Sequence, residues 1–471
     1  MKRRDFFKNT SLTALGAAFL SPAELFAFNR TRETAGSGKI AKNIIFLVSD
    51  GMSMGTLTLA NLLLQRKEGR KSKWIEMYEQ NRVSRALMDT ASADALVTDS
   101  AAASSSWGGG VRVNNGSLNV GPQGQQYKPI LQKFKSAGKS VGCVTTVPIT
   151  HATPAGFSIN SDKRSAQEDI ALQYLSLRFD VMLGGGLEYF SAHKRKDKKD
   201  LLANYRQSGF SVLRDRSQLA DGLGWGKRPV IGVFHEDGLP YSLDREQDPA
   251  LVASIPTLAE MTTQAINHLS KNKKGFVMQV EAGKVDWAAH ANDAAALIYD
   301  QIAFDDAVKA AIDFAEKDGE TLVIITTDHG NANPGLFGAD SNFDKLHHFK
   351  QTNDWLLKGI DRSFSASKII ERMEAAQGIV ITKDEAASLL KPYETMDSDS
   401  LYNPYKLPFK ELADIQSKYT SIGWGGMNHS ADHVELAMFG PGSERLKPFV
   451  KNTELHNFML EVAGIDPKKT V

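Results

Sequence analysis

Five stretches of this chain are apolar almost without interruption, and they constrain its fold more than any other feature. Ile44-Ile45-Phe46-Leu47-Val48 contains no polar residue, and comparable runs occupy Ser140–Val147, Phe276–Val280, Leu322–Thr327 and Val434–Phe439. A strand with one wet face alternates apolar and polar side chains, whereas a nearly continuous apolar run is a strand buried on both faces. Helical patterns lie between several of the runs, at Lys128–Ala137, Pro256–Leu269 and Ala294–Glu316, and another follows the last run at Glu454–Val462. Strands alternating with helices predict an α/β fold: a mainly parallel central sheet with helices on both faces. Two stretches interrupt the alternation. Residues 335–425 are polar and aromatic, with a helix predicted over Ala366–Ala376 and another starting at the capping box Thr382-Lys383-Asp384-Glu385. Residues 186–250 are the second. Both read as insertions within a single domain spanning residues 41–471.

The first 27 residues have a different character. Lys2, Arg3 and Arg4 precede Phe6-Phe7-Lys8, the apolar run Leu12 to Leu20 and then Ser21-Pro22-Ala23. This is the layout of a twin-arginine export signal, and it implies an exported, periplasmic protein. Residues 28–40 read as a linker. The apolar run is too short for a stable membrane anchor. Lys plus Arg number 56 against 55 Asp plus Glu, so the net charge is +1 and falls to −1 once the signal's four basic and two acidic residues are removed. Neither value offers the basic excess that a nucleic-acid partner requires. The single cysteine, Cys143, excludes an internal disulfide and any cysteine-built metal centre, so a metal site must use His, Asp and Glu.

The ends of the apolar strands carry the chemistry. Ser49-Asp50-Gly51 follows the first run, Glu281 follows Val280, Asp328-His329-Gly330 follows Thr327, and His151 and Thr153 come shortly after the run at 140–147. Ligands of open parallel sheets bind beyond the carboxyl ends of the strands, where these residues would meet. Any one of these acids alone would read as a turn former or helix cap. Asp286 and His290 are four apart, on one side of a helical turn, so they can share a metal. Ser100, in Val97-Thr98-Asp99-Ser100-Ala101-Ala102, would open a helix, where free amides and the dipole favour an anion such as phosphate. Taken alone it is a helix cap; beside a metal its hydroxyl becomes a nucleophile.

Taken together, these motifs resemble the metal-dependent alkaline phosphatase family. The resemblance runs from Lys42 to about Gly442 apart from the two insertions, through Asp50-Gly51, Val97-Thr98-Asp99-Ser100-Ala101-Ala102, His151-Ala152-Thr153-Pro154-Ala155, Glu281 with Asp286 and His290, Thr327-Asp328-His329-Gly330 and His429-Ser430-Ala431-Asp432. It implies hydrolysis of phosphate monoesters at a centre of two Zn2+ and one Mg2+. One zinc would be held by Asp286, His290 and His429, the other by Asp50, Asp328 and His329, and magnesium by Asp50, Thr153 and Glu281. Imidazole-containing sets suit zinc and an oxygen-only set suits magnesium. By the same resemblance Ser100 is the nucleophile and Arg164 clamps phosphate, while Asp99 either orients that arginine or simply caps the Ser100 helix. A homodimer is compatible with it.

Two positions depart from the best-known pattern. Trp287 stands where relatives often carry a Lys or His that touches phosphate, and an indole cannot supply that charge. His151 occupies a position near magnesium that is Asp in some relatives. Among rivals, a sulfatase-like hydrolase would need a Cys/Ser-x-Pro-x-Arg context, and Ser100 is followed by Ala101-Ala102-Ala103. A phosphodiesterase relative would lack the Glu281 and Thr153 pair, and a non-catalytic phosphate or metal binder would show a damaged constellation. Cys143 is expected only to pack, His347-His348 to lie in a solvated turn, and Asn115-Gly116-Ser117 to be an inconsequential glycosylation sequon.

Overall fold

The apolar runs become the centre of a ten-stranded sheet in the computed structural model, which describes residues 40–394 and 406–469. The expected export signal, the expected linker as far as residue 39, and Tyr402 and Tyr405 of the aromatic stretch 335–425 lie outside the described residues. In chain order the strands are β1 (Asn43–Val48), β2 (Ser84–Met88), β3 (Ser140–Pro148), β4 (Val181–Gly185), β5 (Ser211–Leu213), β6 (Val230–Val233), β7 (Phe276–Glu281), β8 (Thr321–Thr326), β9 (Val434–Phe439) and β10 (Phe449–Val450). Their spatial order is β10-β2-β9-β8-β1-β7-β3-β4-β6-β5. Alternate residues of the central strands enter opposite cores: Ile44, Phe46 and Val48 face one, Ile45 and Leu47 the other. That period of two, with both faces buried, is why β1 shows no polar alternation.

All the pairings are parallel except those of β9, which runs antiparallel to both β8 and β2. An apolar run is silent about strand direction. Here direction has a use, because an antiparallel strand begins at the end of the sheet where its parallel neighbours finish. Residues 186–250, expected as an insertion, supply β5 and β6 at the sheet edge. Residues 335–425 build a third hydrophobic cluster around Leu346, Leu357, Ile369, Met373 and Leu412. The helices Ala366–Gln377 and Lys383–Leu390 form there, the second with the capping box of Thr382 and Glu385. Tyr393 is consumed by that core, donating to Leu357 O, and Trp355 stacks on Arg372.

The helices that matter for the site are α1 (Met54–Glu68), α2 (Ser100–Gly108), α3 (Ala152–Ser158), α4 (Lys284–His290), α5 (Ala294–Asp318) and α6 (Glu454–Val462). The sequence of α2, SAAASSSWG, is made of small residues apart from Trp107, and every one of them is buried. This lets its backbone approach α3 closely: a Cβ on Gly108 would stand 1.9 Å from Gly156 O, and one on Gly156 would collide with Ser104. Phe46 of β1 packs on Trp107 and Phe157, with ring centroids 4.9 and 5.1 Å away, and so ties both helices to the central strand. Cys143 is buried in β3 against Ser158, where burial pushes its thiol up to about 12. It packs and is unreactive.

His456 of α6 fixes the far end of α2. Its Nδ1 donates to Trp107 O (3.0 Å), so its Nε2 must accept from Lys133 Nζ (3.1 Å). Burial, with the Lys133 charge, pushes this imidazole down to about 4. A histidine whose folded pKa lies below its unfolded value adds stability above the unfolded value and loses it as pH falls through the folded one. Unfolding free energy should therefore drop between about pH 6.5 and pH 4, with a slope contribution of up to about 1.4 kcal/mol per pH unit. His456→Asn should remove that contribution in urea titrations across this range.

Candidate active site

Asp50 lies just past β1, Glu281 ends β7, Asp328 and His329 follow β8, and the turn after β3 leads to His151 and Thr153. Because β8, β1, β7 and β3 are consecutive neighbours in the sheet, these side chains meet at one edge of its centre. Asp286 and His290 arrive on α4, directly after β7. His429 comes from far along the chain: His429–Ser430 pairs antiparallel with Gly330–Asn331 immediately before β9. The antiparallel strand thus delivers His429 to the parallel strands' carboxyl ends.

The cluster is rich in electrons. Asp50, Glu281, Asp286 and Asp328 are all at most 5 % exposed. Asp50, Asp286 and Asp328 have carboxylate oxygens within 4 Å of the imidazoles of His290, His329 and His429. His290 Nδ1 donates to Met427 O (2.7 Å) and His429 Nδ1 to Thr98 O (2.8 Å). Those backbone acceptors turn the two Nε2 atoms toward each other at 3.0 Å, with Asp286 oxygens 3.5 and 3.6 Å away. Two imidazole nitrogens facing at that distance require a cation between them, either a proton or a metal ion. Burial opposes charge on His429, but the hydrogen bond and charge of Asp286 lift it to about 9. Burial likewise opposes ionisation of Asp286, yet His290 and His429 hold it well below the usual carboxylate range.

A second group surrounds His329. Its Nε2 lies 3.2 Å from Asp328 Oδ2, 3.5 Å from Asp50 Oδ1 and 3.3 Å from Ser100 Oγ. Burial presses His329 down to about 4 despite the Asp328 charge. Asp50 is raised well above the normal value by burial and by Asp328, Asp286 and Glu281. Glu281, raised by burial to about 7, accepts from Thr145 Oγ1. The Thr153 hydroxyl is 3.4 Å from Asp50 Oδ2. Asp50 Oδ1, Asp328 Oδ2 and Glu281 Oε1 are buried with no hydrogen-bond partner. Unpaired anionic oxygens in a dry interior are costly, and divalent cations are the groups that satisfy them. Ligand atoms of Asp286, His329 and His429, of Asp50, Asp328 and His329, and of Asp50, His151 and Glu281 each lie within 4.8 Å of one another. The residues therefore fit metal ions. His347 and His348 belong to no such group among the described residues.

Gly51 makes the turn after β1 possible. Its φ of +67° is left-handed, and its N–H donates to Asp328 Oδ1 at 3.0 Å. A Cβ there would strike Asp286 Oδ1 at 2.5 Å.

Ser100 opens α2 beside this cluster, and Asp99 caps the helix by accepting from Ala102 N (2.9 Å). The other Asp99 oxygen accepts from Arg164 Nη1 (2.9 Å), while Arg164 Nη2 donates to His151 Nε2 (3.2 Å). An arginine can only donate, so His151 Nε2 carries a lone pair and the ring is neutral. Burial, with the Arg164 charge, agrees by pushing it down to about 3. Trp287 stands edge-on to His151, with centroids 6.0 Å apart. Ser100, Arg164, His151, Trp287, His290 and His429 line an open cleft of about 500 Å³. Every residue expected at the site from the sequence is thus gathered in one place.

Three contributors escaped the sequence reading. Thr145 was hidden inside a strand run. Asn331, one residue beyond the Thr327-Asp328-His329-Gly330 motif, donates to Asp286 Oδ1 at 2.7 Å. Asn115, expected only as a sequon, accepts from Asp99 N and donates to Val97 O, bracing the loop before Ser100. Its signal was present but pointed elsewhere.

A cage of buried carboxylates and imidazoles turned toward an open cleft marks a metal-dependent enzyme. Comparison with known proteins gives the particular kind. The family model for alkaline phosphatase matches residues 41–465, and the chain belongs to that family, whose members release phosphate from monoesters. Alkaline phosphatase 4 of Bacillus subtilis is 29 % identical over 98 % of this chain and 99 % of its own length. The crystal structure of Thermus thermophilus alkaline phosphatase superposes with a TM-score of 0.83 at 30 % identity, covering 92 % of this chain and 95 % of that one. A histidine-to-aspartate variant of the alkaline phosphatase from the Antarctic bacterium TAB5, solved with magnesium bound in its M3 site, is 26 % identical (TM-score 0.65, covering 91 % and 99 %).

Removing the Asn331 amide should leave Asp286 less well held. Asn331→Ala is expected to weaken divalent-cation retention by about tenfold, the usual consequence of losing a partner behind a ligand. Cation content at equilibrium with a graded chelator measures it.

Proposed function

We propose that the protein hydrolyses phosphate monoesters through a phosphoserine at Ser100, in a centre of two zinc ions and one magnesium ion. The observation that carries this reading is the placement of Ser100 Oγ, 3.3 Å from His329 Nε2, on the first residue of a helix beside buried carboxylates without partners. Asp286, His290 and His429 would hold one zinc, and Asp50, Asp328 and His329 the other. Asp50, Thr153 and Glu281, an oxygen-only set, would hold magnesium. When bound, these cations supply the positive charge that eases ionisation of a hydroxyl and stabilises a departing alkoxide.

The chain's own residues do the rest. Ser100 Oγ, having lost its proton to solvent, attacks phosphorus opposite the ester oxygen, the P–O bond to the alcohol breaks, and phosphoserine forms. Water then attacks the same phosphorus, the bond to Ser100 Oγ breaks, and inorganic phosphate leaves; each cycle consumes one water and yields one alcohol. Arg164, aligned by Asp99 and His151, offers its guanidinium to two nonbridging oxygens. The amides opening α2 point to the same anion. Residues 1–27 would export the chain, and the described residues contain no helix long and apolar enough to cross a membrane.

His151 adds a refinement. Because Arg164 occupies its Nε2, it stands beside the oxygen-only set as a neutral ring and contributes no negative charge. His151→Asp is expected to keep magnesium at chelator concentrations that strip the wild type, and loss of magnesium from both at the same concentration would contradict this. The activity itself is tested by release of p-nitrophenol from its phosphate ester with zinc and magnesium present. Ser100→Ala should lower the rate by at least about a thousandfold, the scale of losing a covalent nucleophile. Equal rates in the two proteins would sink the assignment.

A further inference from the structure

Lys284 is the one lysine among the described residues that is buried, at 7 % exposure. It opens α4, the helix of Asp286 and His290. Its ammonium lies over two aromatic faces, 3.6 Å from the Tyr241 centroid and 4.6 Å from that of Trp287. Burial opposes its charge, and Asp354, Asp300 and Asp237, within electrostatic reach, favour it. Tyr241 belongs to the segment after β6, whose backbone presses on the same indole: a Cβ on Gly238 would stand 2.9 Å from Trp287 Cζ3 and 3.4 Å from Lys284 Cδ. Trp287 is therefore gripped from behind by a cation, a tyrosine and a loop, while its edge meets His151 in the cleft. An aliphatic side chain at 284 would fill the same volume without orienting the two rings, because only a charge is drawn to their faces.

We propose that Lys284 is a positioning residue for the phosphate site: held between Tyr241 and Trp287, it fixes the indole that keeps His151, and through His151 the Arg164 guanidinium, in place. The contacts are continuous, running from Lys284 to Trp287, His151, Arg164 and Asp99, the cap of the Ser100 helix. They also explain how a tryptophan serves where a phosphate-touching cation is common: the cation stands one layer back and acts through the ring. This inference rests on the functional reading above, in which Arg164 holds phosphate.

A double-variant cycle on the zinc- and magnesium-loaded enzyme tests it, with Lys284→Met, Trp287→Ala and the two combined. The readouts are KM and kcat for p-nitrophenyl phosphate and, separately, the dissociation constant of inorganic phosphate by calorimetry. Lys284→Met alone should raise KM and the phosphate constant about fivefold and leave kcat within about twofold, and in the Trp287→Ala background it should change neither further. The same fold-change in both backgrounds, or none in either, would overturn the proposal, since a merely structural lysine does not need the indole. If Lys284→Met does not fold, Tyr241→Leu, which keeps the charge and removes one face, enters the same cycle under the same criteria. A wild-type protein without phosphatase activity would overturn the functional reading and this inference together; an active wild type with independent variants overturns this inference alone.

Discussion

Burying four carboxylates at one point is the constraint on which the rest of this structure depends. Asp50, Glu281, Asp286 and Asp328 are withdrawn from water by the same strands that form the core; the three aspartates face histidines rather than lysines or arginines, and Glu281 meets the Thr145 hydroxyl. Moving an ion into such an interior costs several kcal/mol unless charge of opposite sign follows it. A protein could neutralise the site by protonation, and the raised values of Asp50 and Glu281 show that pressure. The tautomers of His290 and His429, set by the Met427 and Thr98 carbonyls, oppose that solution by turning lone pairs inward. Divalent cations resolve both demands, and the surrounding fold reads as scaffolding for holding anions together until those cations arrive.

The scaffolding is economical. Four adjacent strands end at the site, so side chains separated by hundreds of residues are placed by sheet register alone. One strand runs backwards, which brings His429 to the same end. Two helices rich in small residues approach to backbone contact, where Ser104 Oγ donates to Thr153 O. A wall of Trp287, His151 and Arg164 lines the cleft, with the Lys284 ammonium over the Trp287 ring.

Much of this was legible in the sequence because it rests on local physics. Burial on both faces removes polar alternation, so β1, β3, β7 and β8 announce themselves, and acids at their ends have few other reasons to cluster. What stayed hidden is equally physical. Edge strands such as β5 are short, and β2 is only half covered, so neither shows a continuous apolar run. Strand direction leaves no trace in composition, so β9 could be found but not oriented. Thr145 and Asn331 act on ligands through single hydrogen bonds from distant parts of the chain, and no spacing encodes such contacts. Lys284 carries no signal in the sequence, because its two aromatic partners come from the fold.

The near-zero net charge and solitary cysteine now fit together. In the proposed function the positive charge that a phosphate needs is concentrated in bound cations and Arg164, so the chain can remain neutral overall, and the same cations would serve as cross-links in place of disulfides. Elemental analysis of the purified protein equilibrated with zinc and magnesium tests this account most directly. Close to three divalent cations per chain, two of them zinc, is the predicted result. One or none, in a folded and active protein, would contradict it.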